Sequence, residues 1–215
     1  MTDKQLHDEV LEELAFEPEV HPERIGVSVE NGVVTLSGHA DSYSQKLAAE
    51  RVVKRVYSAK AVVNDLEVRL PARDEVPDAD LAEAAVQAIE QLSQVPADSV
   101  RITVRDRHVI LDGKVDWHYQ RQAAENAVRH LRGIRGVLNH ITISGTAVPE
   151  EAERQIADSL RRSTEDRGEI SVEVADQKVT LLGCVACLRD REEAENAAWR
   201  VPGIIEVDNR LMVMP

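Results

Sequence analysis

Three times along the chain, apolar and polar residues alternate, pause for two positions, and alternate again up to a glycine. The first runs hold Val27 and Val29, Ile102 and Val104, and Val172 and Val174. The pauses are Asn31-Gly32, Asp106-Arg107 and Asp176-Gln177. The second runs read Val34-Thr35-Leu36-Ser37-Gly38, Val109-Ile110-Leu111-Asp112-Gly113 and Val179-Thr180-Leu181-Leu182-Gly183. A period of two predicts strands with one buried face. Asn-Gly suits a type I′ turn, whose central residues both need positive φ, and the other two pairs are weaker versions of it. Each stretch is therefore expected to form a β-hairpin.

Past each glycine the period lengthens to 3.6. Ala49, Val52, Val53 and Val56 recur at helical spacing, as do Ala124, Ala127, Val128 and Leu131, and Ala194, Ala197, Ala198 and Val201. That spacing draws one buried stripe along a helix. Ser42-x-x-Gln45 resembles a capping box and Asp116 is the expected cap of the second copy, whereas the third offers only Ala186 and Cys187. Alternation returns at Val62, Asn64, Leu66 and Val68 and their counterparts, predicting a third strand. An amphipathic helix also precedes each hairpin, marked by Leu6, Val10 and Leu14, by Leu81, Ala85 and Ile89, and by Ala152, Ile156 and Leu160. Thr2-x-x-Gln5 would cap the first of these, and Pro149 suits the first turn of the third.

The three stretches are copies of one unit. Gly38, Gly113 and Gly183 are each followed after twelve residues by Glu50, Glu125 or Glu195, and after 26 by Asn64, Asn139 or Asn209. No gap interrupts this register. The expected fold is α+β: three tandem αββαβ modules, each a three-stranded mixed sheet with two helices packed on one face. The modules span 1–72, 76–145 and 148–215, with short linkers at Pro71–Pro77 and Gly145–Val148. Linkers this short keep neighbouring modules close together.

Val-x-Leu-x-Gly, then Ala-Glu on the second helix, then Val-x-Asn-x-Leu on the last strand, resembles the BON domain, named for bacterial osmotically inducible and nodulation proteins. The second copy carries Ile141 where the motif has Leu. The resemblance covers nearly the whole chain. It implies a non-catalytic module that binds phospholipid surfaces or envelope partners, often in stress responses, and it implies no cofactor. Many members are periplasmic or lipid-anchored. Here Met1 to Val10 is charged and shows neither a signal peptide nor a lipobox cysteine, so a cytoplasmic location is expected unless a leader precedes these residues.

Composition narrows the field. Aromatic residues make up 3% of 215, so Val, Ile, Leu and Ala must build the cores. No apolar run reaches the roughly 18 residues of a transmembrane helix. The net charge of −13 argues against nucleic acid, which needs clustered Lys and Arg. That charge is uneven: residues 1–73, 74–147 and 148–215 carry −4, −3 and −6. The second helices are more basic than the rest, with Lys46, Arg51, Lys54 and Arg55 in the first copy and Arg121, Arg129 and Arg132 in the second. Tyr43, Trp117 and Tyr119 stand at their starts. Basic residues beside interfacial aromatics suit an anionic phospholipid surface, at about 1 kcal/mol per Lys or Arg. The competing reading pairs them with the acidic first helix at Asp8, Glu9, Glu12 and Glu13. A protein partner or homo-oligomer is the alternative to lipid, because small sheets leave edge strands.

The repeated residues read as structure. Gly38, Gly113 and Gly183 point to positive φ or a close approach that excludes Cβ. Asn64, Asn139 and Asn209 share the apolar face and need hydrogen-bond partners, such as a neighbouring loop. Three carboxylates at one equivalent position do not form a catalytic pair, and no enzyme constellation stands out. Cys184-x-x-Cys187 has redox spacing at a helix start. Zinc would want four ligands, and there is no second Cys pair, so no metal site is expected. Gly133-Ile-Arg-Gly136 matches the GXXG loop of an RNA-binding fold but leads from helix to strand, not helix to helix.

Overall fold

A computed structural model of the protein describes residues 2–96, 98–144, 151–163 and 170–214, with side chains to residue 160 in the third stretch. The first module runs α1 (Asp3–Phe16), β1 (Ile25–Glu30), β2 (Val33–Ala40), α2 (Tyr43–Arg55), β3 (Ala61–Asn64) and β4 (Glu67–Val68). The second runs α3 (Asp78–Glu90), β5 (Val100–Arg105), β6 (His108–Val115), α4 (His118–Val128) and β7 (Gly136–Ile143). The third runs α5 (Ala152–Ser163), β8 (Ser171–Ala175), β9 (Lys178–Val185), α6 (Leu188–Trp199) and β10 (Glu206–Val213). This is the αββαβ unit three times over.

Each hairpin pairs antiparallel, and the last strand returns parallel to the second, which lies in the middle of the sheet. The second helix makes that crossover, as a parallel connection requires. Where one continuous strand is expected over Val62–Val68, the first module has two, β3 and β4, both paired with β2. The register repeats between copies, with Leu36 opposite Asn64, Leu111 opposite Asn139 and Leu181 opposite Asn209.

The helix faces bury their predicted stripes. Leu6, Val10 and Leu14 meet Ala49, Val52 and Val53 over Val34 and Leu36, all with 2% exposure or less. The second module repeats this with Leu81, Ala85, Ala124 and Val128 over Val109 and Leu111. The hairpin turns take the expected positive φ at Asn31 (52°) and Gly32 (82°), and at Asp106 (50°) and Arg107 (64°). A helix N-terminus holds each of these turns. Asp3 accepts from the amides of Asn31 and Gly32 at 2.8 and 3.0 Å, and Asp78 accepts from those of Asp106 and Arg107 at 2.9 and 3.0 Å.

Thr2 and Gln5 form the expected capping box. At α2 the Ser42 hydroxyl accepts from the Gln45 amide, but the Gln45 side chain reaches one residue further back, to the amide of Asp41. Asp116 does not cap α4. The N-cap is Trp117, and the Gln120 carbonyl oxygen accepts from the amides of both Asp116 and Trp117 at 3.0 Å. Gln120 thus ties the chain just ahead of the helix back onto its first turn, the reciprocal half of a capping box. Pro149 and the linker at Gly145–Val148 lie outside the described residues.

Candidate functional site

The shared Asn and Glu are two ends of one clasp. Asn64 donates to the Lys46 carbonyl at 3.0 Å and to Glu50 Oε2 at 3.1 Å. Asn139 does the same to Arg121 and Glu125 at 3.3 and 2.9 Å, and Asn209 to Arg191 and Glu195 at 3.0 and 3.1 Å. Each Asn Oδ1 accepts from the backbone amide two residues on, at Leu66, Ile141 or Leu211. The partner of the Asn is therefore the second helix, not a loop. A half-buried amide with both ends engaged ties helix to strand. Burial works against the Glu50 charge, yet hydrogen bonds from Lys54 and Asn64 outweigh it and hold the carboxyl below its usual range.

The glycines answer to both expected causes at once. Gly38 and Gly113 have φ of 106° and 153°, and a Cβ on either would collide with the carbonyl oxygen of Arg24 or Ser99. Gly183 shares the positive φ, at 129°.

The second helices turn toward one another and join the modules in a cycle. Five residues after the repeat glycine stand Tyr43, His118 and Leu188, and sixteen after it stand Lys54, Arg129 and Trp199. Tyr43 packs against the second module's core and faces Glu125 and Arg129. His118 stacks on Trp199 at 4.2 Å and 9°. Leu188 lines a cleft with Lys54 and Glu50. Each module thus meets the next through the same two positions, one to two, two to three and three to one. Such head-to-tail interfaces close into a ring when the rotation fits. Ser44 to His130 (3.4 Å), Gln122 to Asn196 (3.2 Å) and Lys54 to Glu192 (2.5 Å) accompany the three junctions.

This arrangement divides the basic and aromatic candidates. Tyr43 is in the first junction, where burial raises its phenol. Lys46 donates to the Leu66 carbonyl, and Lys54 bridges Glu50 (2.7 Å) and Glu192. Arg51 and Arg55 pair with Glu19 and Glu17, just beyond α1, not with Asp8, Glu9, Glu12 or Glu13. Arg129 donates to Asn126, and Arg132 holds the first linker through Asp74 and the Arg73 carbonyl. Trp117 and Tyr119 are brought together in another setting, and Arg121 acts on the neighbouring His118.

Trp117 and Tyr119 lie 6.1 Å apart, centroid to centroid. With His118 and Gln122 they form one wall of a cleft of about 600 Å³, and Asn196, Trp199 and Arg200 from the third module form the other. Both Trp residues of the chain meet here. Among the described residues no carboxylate lines the cleft, although the chain has 39 Asp and Glu. Desolvation, and then the nearby Arg121, lower the His118 pKa to about 4, so its ring is neutral near pH 7. Arg121 has no carboxylate within salt-bridge distance among the described residues. The contribution of Trp199, Arg200 and Asn196 was not visible in any single copy. Aligning the copies would have shown Trp199 replacing the basic residues Lys54 and Arg129.

Cys184 points to the open face of the third sheet and Cys187 is the buried N-cap of α6, both as free thiols. Burial pushes the Cys187 thiol up, away from the thiolate that redox exchange needs. Among the described residues, no three His, Cys, Asp or Glu gather as metal ligands, and no helix is long and apolar enough to cross a membrane.

A parallel last strand clasped to the crossover helix by Asn and Glu, behind a positive-φ glycine, defines a small helix-on-sheet module, here in triplicate. The chain belongs to the BON domain family, whose model matches residues 2–69, 77–145 and 150–215. Osmotically-inducible protein Y of Escherichia coli (strain K12) is 31% identical over 121 residues, covering 54% of this chain. The match spans 60% of that relative. Among solved structures, two of CdsD, a structural protein of the type III secretion system of Chlamydia trachomatis, align over 100% and 98% of this chain and 100% and 93% of theirs. Their TM-scores of 0.27 and 0.25, at 13% and 14% identity, are too low to bear on fold or function.

Proposed function

We propose that this protein is a non-catalytic binding protein of bacterial stress physiology that sits peripherally on anionic phospholipid. The osmotically inducible character named for the Escherichia coli relative supports the stress context. The lipid reading rests on the cleft between the second and third modules. Trp and Tyr sit well at a membrane–water boundary, and Arg attracts anionic headgroups. In that cleft Trp117, Tyr119 and Trp199 stand with Arg200, and no carboxylate of the described residues is in its lining. The basic stretches of α2 support the reading less, since their charges are paired within the molecule.

Vesicle co-sedimentation at low salt tests it. Vesicles containing phosphatidylglycerol should retain the protein, and pure phosphatidylcholine vesicles should not. Trp117→Ala with Tyr119→Ala, or Arg200→Glu with Arg121→Glu, should release it. Substituting Arg51→Glu on α2 should change retention little. Failure of anionic vesicles to retain the protein would overturn the reading.

A further inference from the structure

The open face of the third sheet collects the chain's soft sulfur atoms. The protein has three Met and two Cys. Apart from Met1, both methionines lie on or just beyond β10, at 212 and 214. In the parallel register Met212 stands beside Cys184 on β9. The Cys184 thiol touches Met214 Sδ at 3.3 Å. Strand alternation puts all three on the solvent face, because Leu211 and Val213 between them are buried. Met212 and Met214 are 60% and 58% exposed, an unusual position for two thioethers.

The fold does not demand them. The equivalent trios are His39, Glu67 and Arg69 in the first module and Lys114, Thr142 and Ser144 in the second. In each, the first pair is juxtaposed in the same register. The sulfur set belongs to the third module alone.

We propose that Cys184, Met212 and Met214 form a surface site for a soft monovalent metal ion, copper(I) or silver(I). A thiolate with two thioethers suits such soft ions, whereas zinc takes four thiolate or imidazole ligands and hard ions take oxygen. Metal–sulfur bonds of about 2.3 Å would hold two ligands of one ion about 3.5–4.6 Å apart. The Cys184–Met214 pair, at 3.3 Å, is slightly closer than that range. An exposed Met side chain, with three rotatable bonds, can open it. On binding, the Cys184 thiol gives its proton to solvent and the sulfur bonds the metal, while the oxidation state of neither changes. Cys187, buried at the helix cap, takes no part.

The test is anaerobic titration of the full chain with copper(I), in competition with a chromophoric copper(I) chelator. The wild type should withdraw about one equivalent, as a single three-sulfur site requires. Cys184→Ser should abolish this, and Met212→Leu with Met214→Leu should weaken it about tenfold or more, at least the loss seen for outer-shell partners. Cys187→Ser should bind as the wild type does. Circular dichroism of each variant reports folding, and leucine at an exposed strand position preserves it. No withdrawal by the wild type would overturn the proposal. So would undiminished binding by the double Met variant, which would reduce the site to a lone thiol, or a loss seen only with Cys187→Ser.

Discussion

Asn139 Nδ2 lies 2.9 Å from Glu125 Oε2, and the same bond recurs between Asn64 and Glu50 and between Asn209 and Glu195 at 3.1 Å. It joins the last strand to the crossover helix, so it fixes the one connection that local sequence cannot. Asn139→Ala should cost about 1–3 kcal/mol, the range for leaving half-buried partners unsatisfied. Glu125→Gln keeps an acceptor and should cost less. Urea unfolding checks both. Asn139→Ala combined with Glu125→Ala should lose less than the two singles together, because they share one bond.

Gly38→Ala should lose at least about 1–2 kcal/mol from its positive φ alone, with the clash against the Arg24 carbonyl added. Gly113→Ala should behave alike, against the Ser99 carbonyl. Gly26→Ala is the internal control. Its Cβ would meet Ser37 Oγ at 2.7 Å, and a hydroxyl can rotate away where a backbone carbonyl cannot. Thermal unfolding should therefore rank Gly26→Ala well above the other two in stability.

The sequence made most of one module legible and little of how modules meet. Val-x-Leu-x-Gly and the change of period carry strand, turn and helix, because these depend on neighbours a few residues apart. The roles of Gly38 and Asn64 were legible as needs, for positive φ and for a hydrogen bond. Their partners, Arg24 O and Glu50, required the fold. Lys54 shows the limit. From sequence it is a cation for a lipid surface or for the acidic first helix, but its main partners are Glu50, one turn away, and Glu192, in a different module. The cleft that unites Trp117 with Trp199 depends on a junction between copies, and no periodicity within a copy encodes it.

Tyr43 should act as a fastener between the first two modules. Its ring packs into the second core although it belongs to α2 of the first. Tyr43→Ser should destabilise the junction by about 2 kcal/mol, roughly half the loss for a fully buried aromatic ring. Tyr43→Phe should be tolerated. Small-angle scattering and protease cleavage within the Pro71–Pro77 linker would detect the change, as a larger radius and faster cutting for Tyr43→Ser. The cores of the modules should unfold at nearly unchanged denaturant concentration. A global loss of structure would mean that the ring cannot be opened one junction at a time.

His118 makes the junction between the second and third modules sensitive to acid. Its pKa is about 4 in place, against 6.5 in the open chain, because stacking on Trp199 desolvates it and Arg121 repels a second positive charge. Above pH 6.5 the ring is neutral whether docked or free, so the junction is at full strength. Between 6.5 and about 4 the free ring takes up a proton that the docked ring resists, and stability falls. Below about 4 both forms are protonated and the loss levels off. Carboxylates such as Glu50, held below their usual range, begin to lose their contribution only as pH drops below 4.5, and lose it fully on falling through the depressed pKa. Unfolding temperature measured from pH 7 to 4 should therefore drop for the wild type and stay flatter for His118→Phe, which keeps the stack without the titration. Trp199 fluorescence should change over the same interval as the junction loosens. Equal slopes for the two proteins would place the acid sensitivity elsewhere.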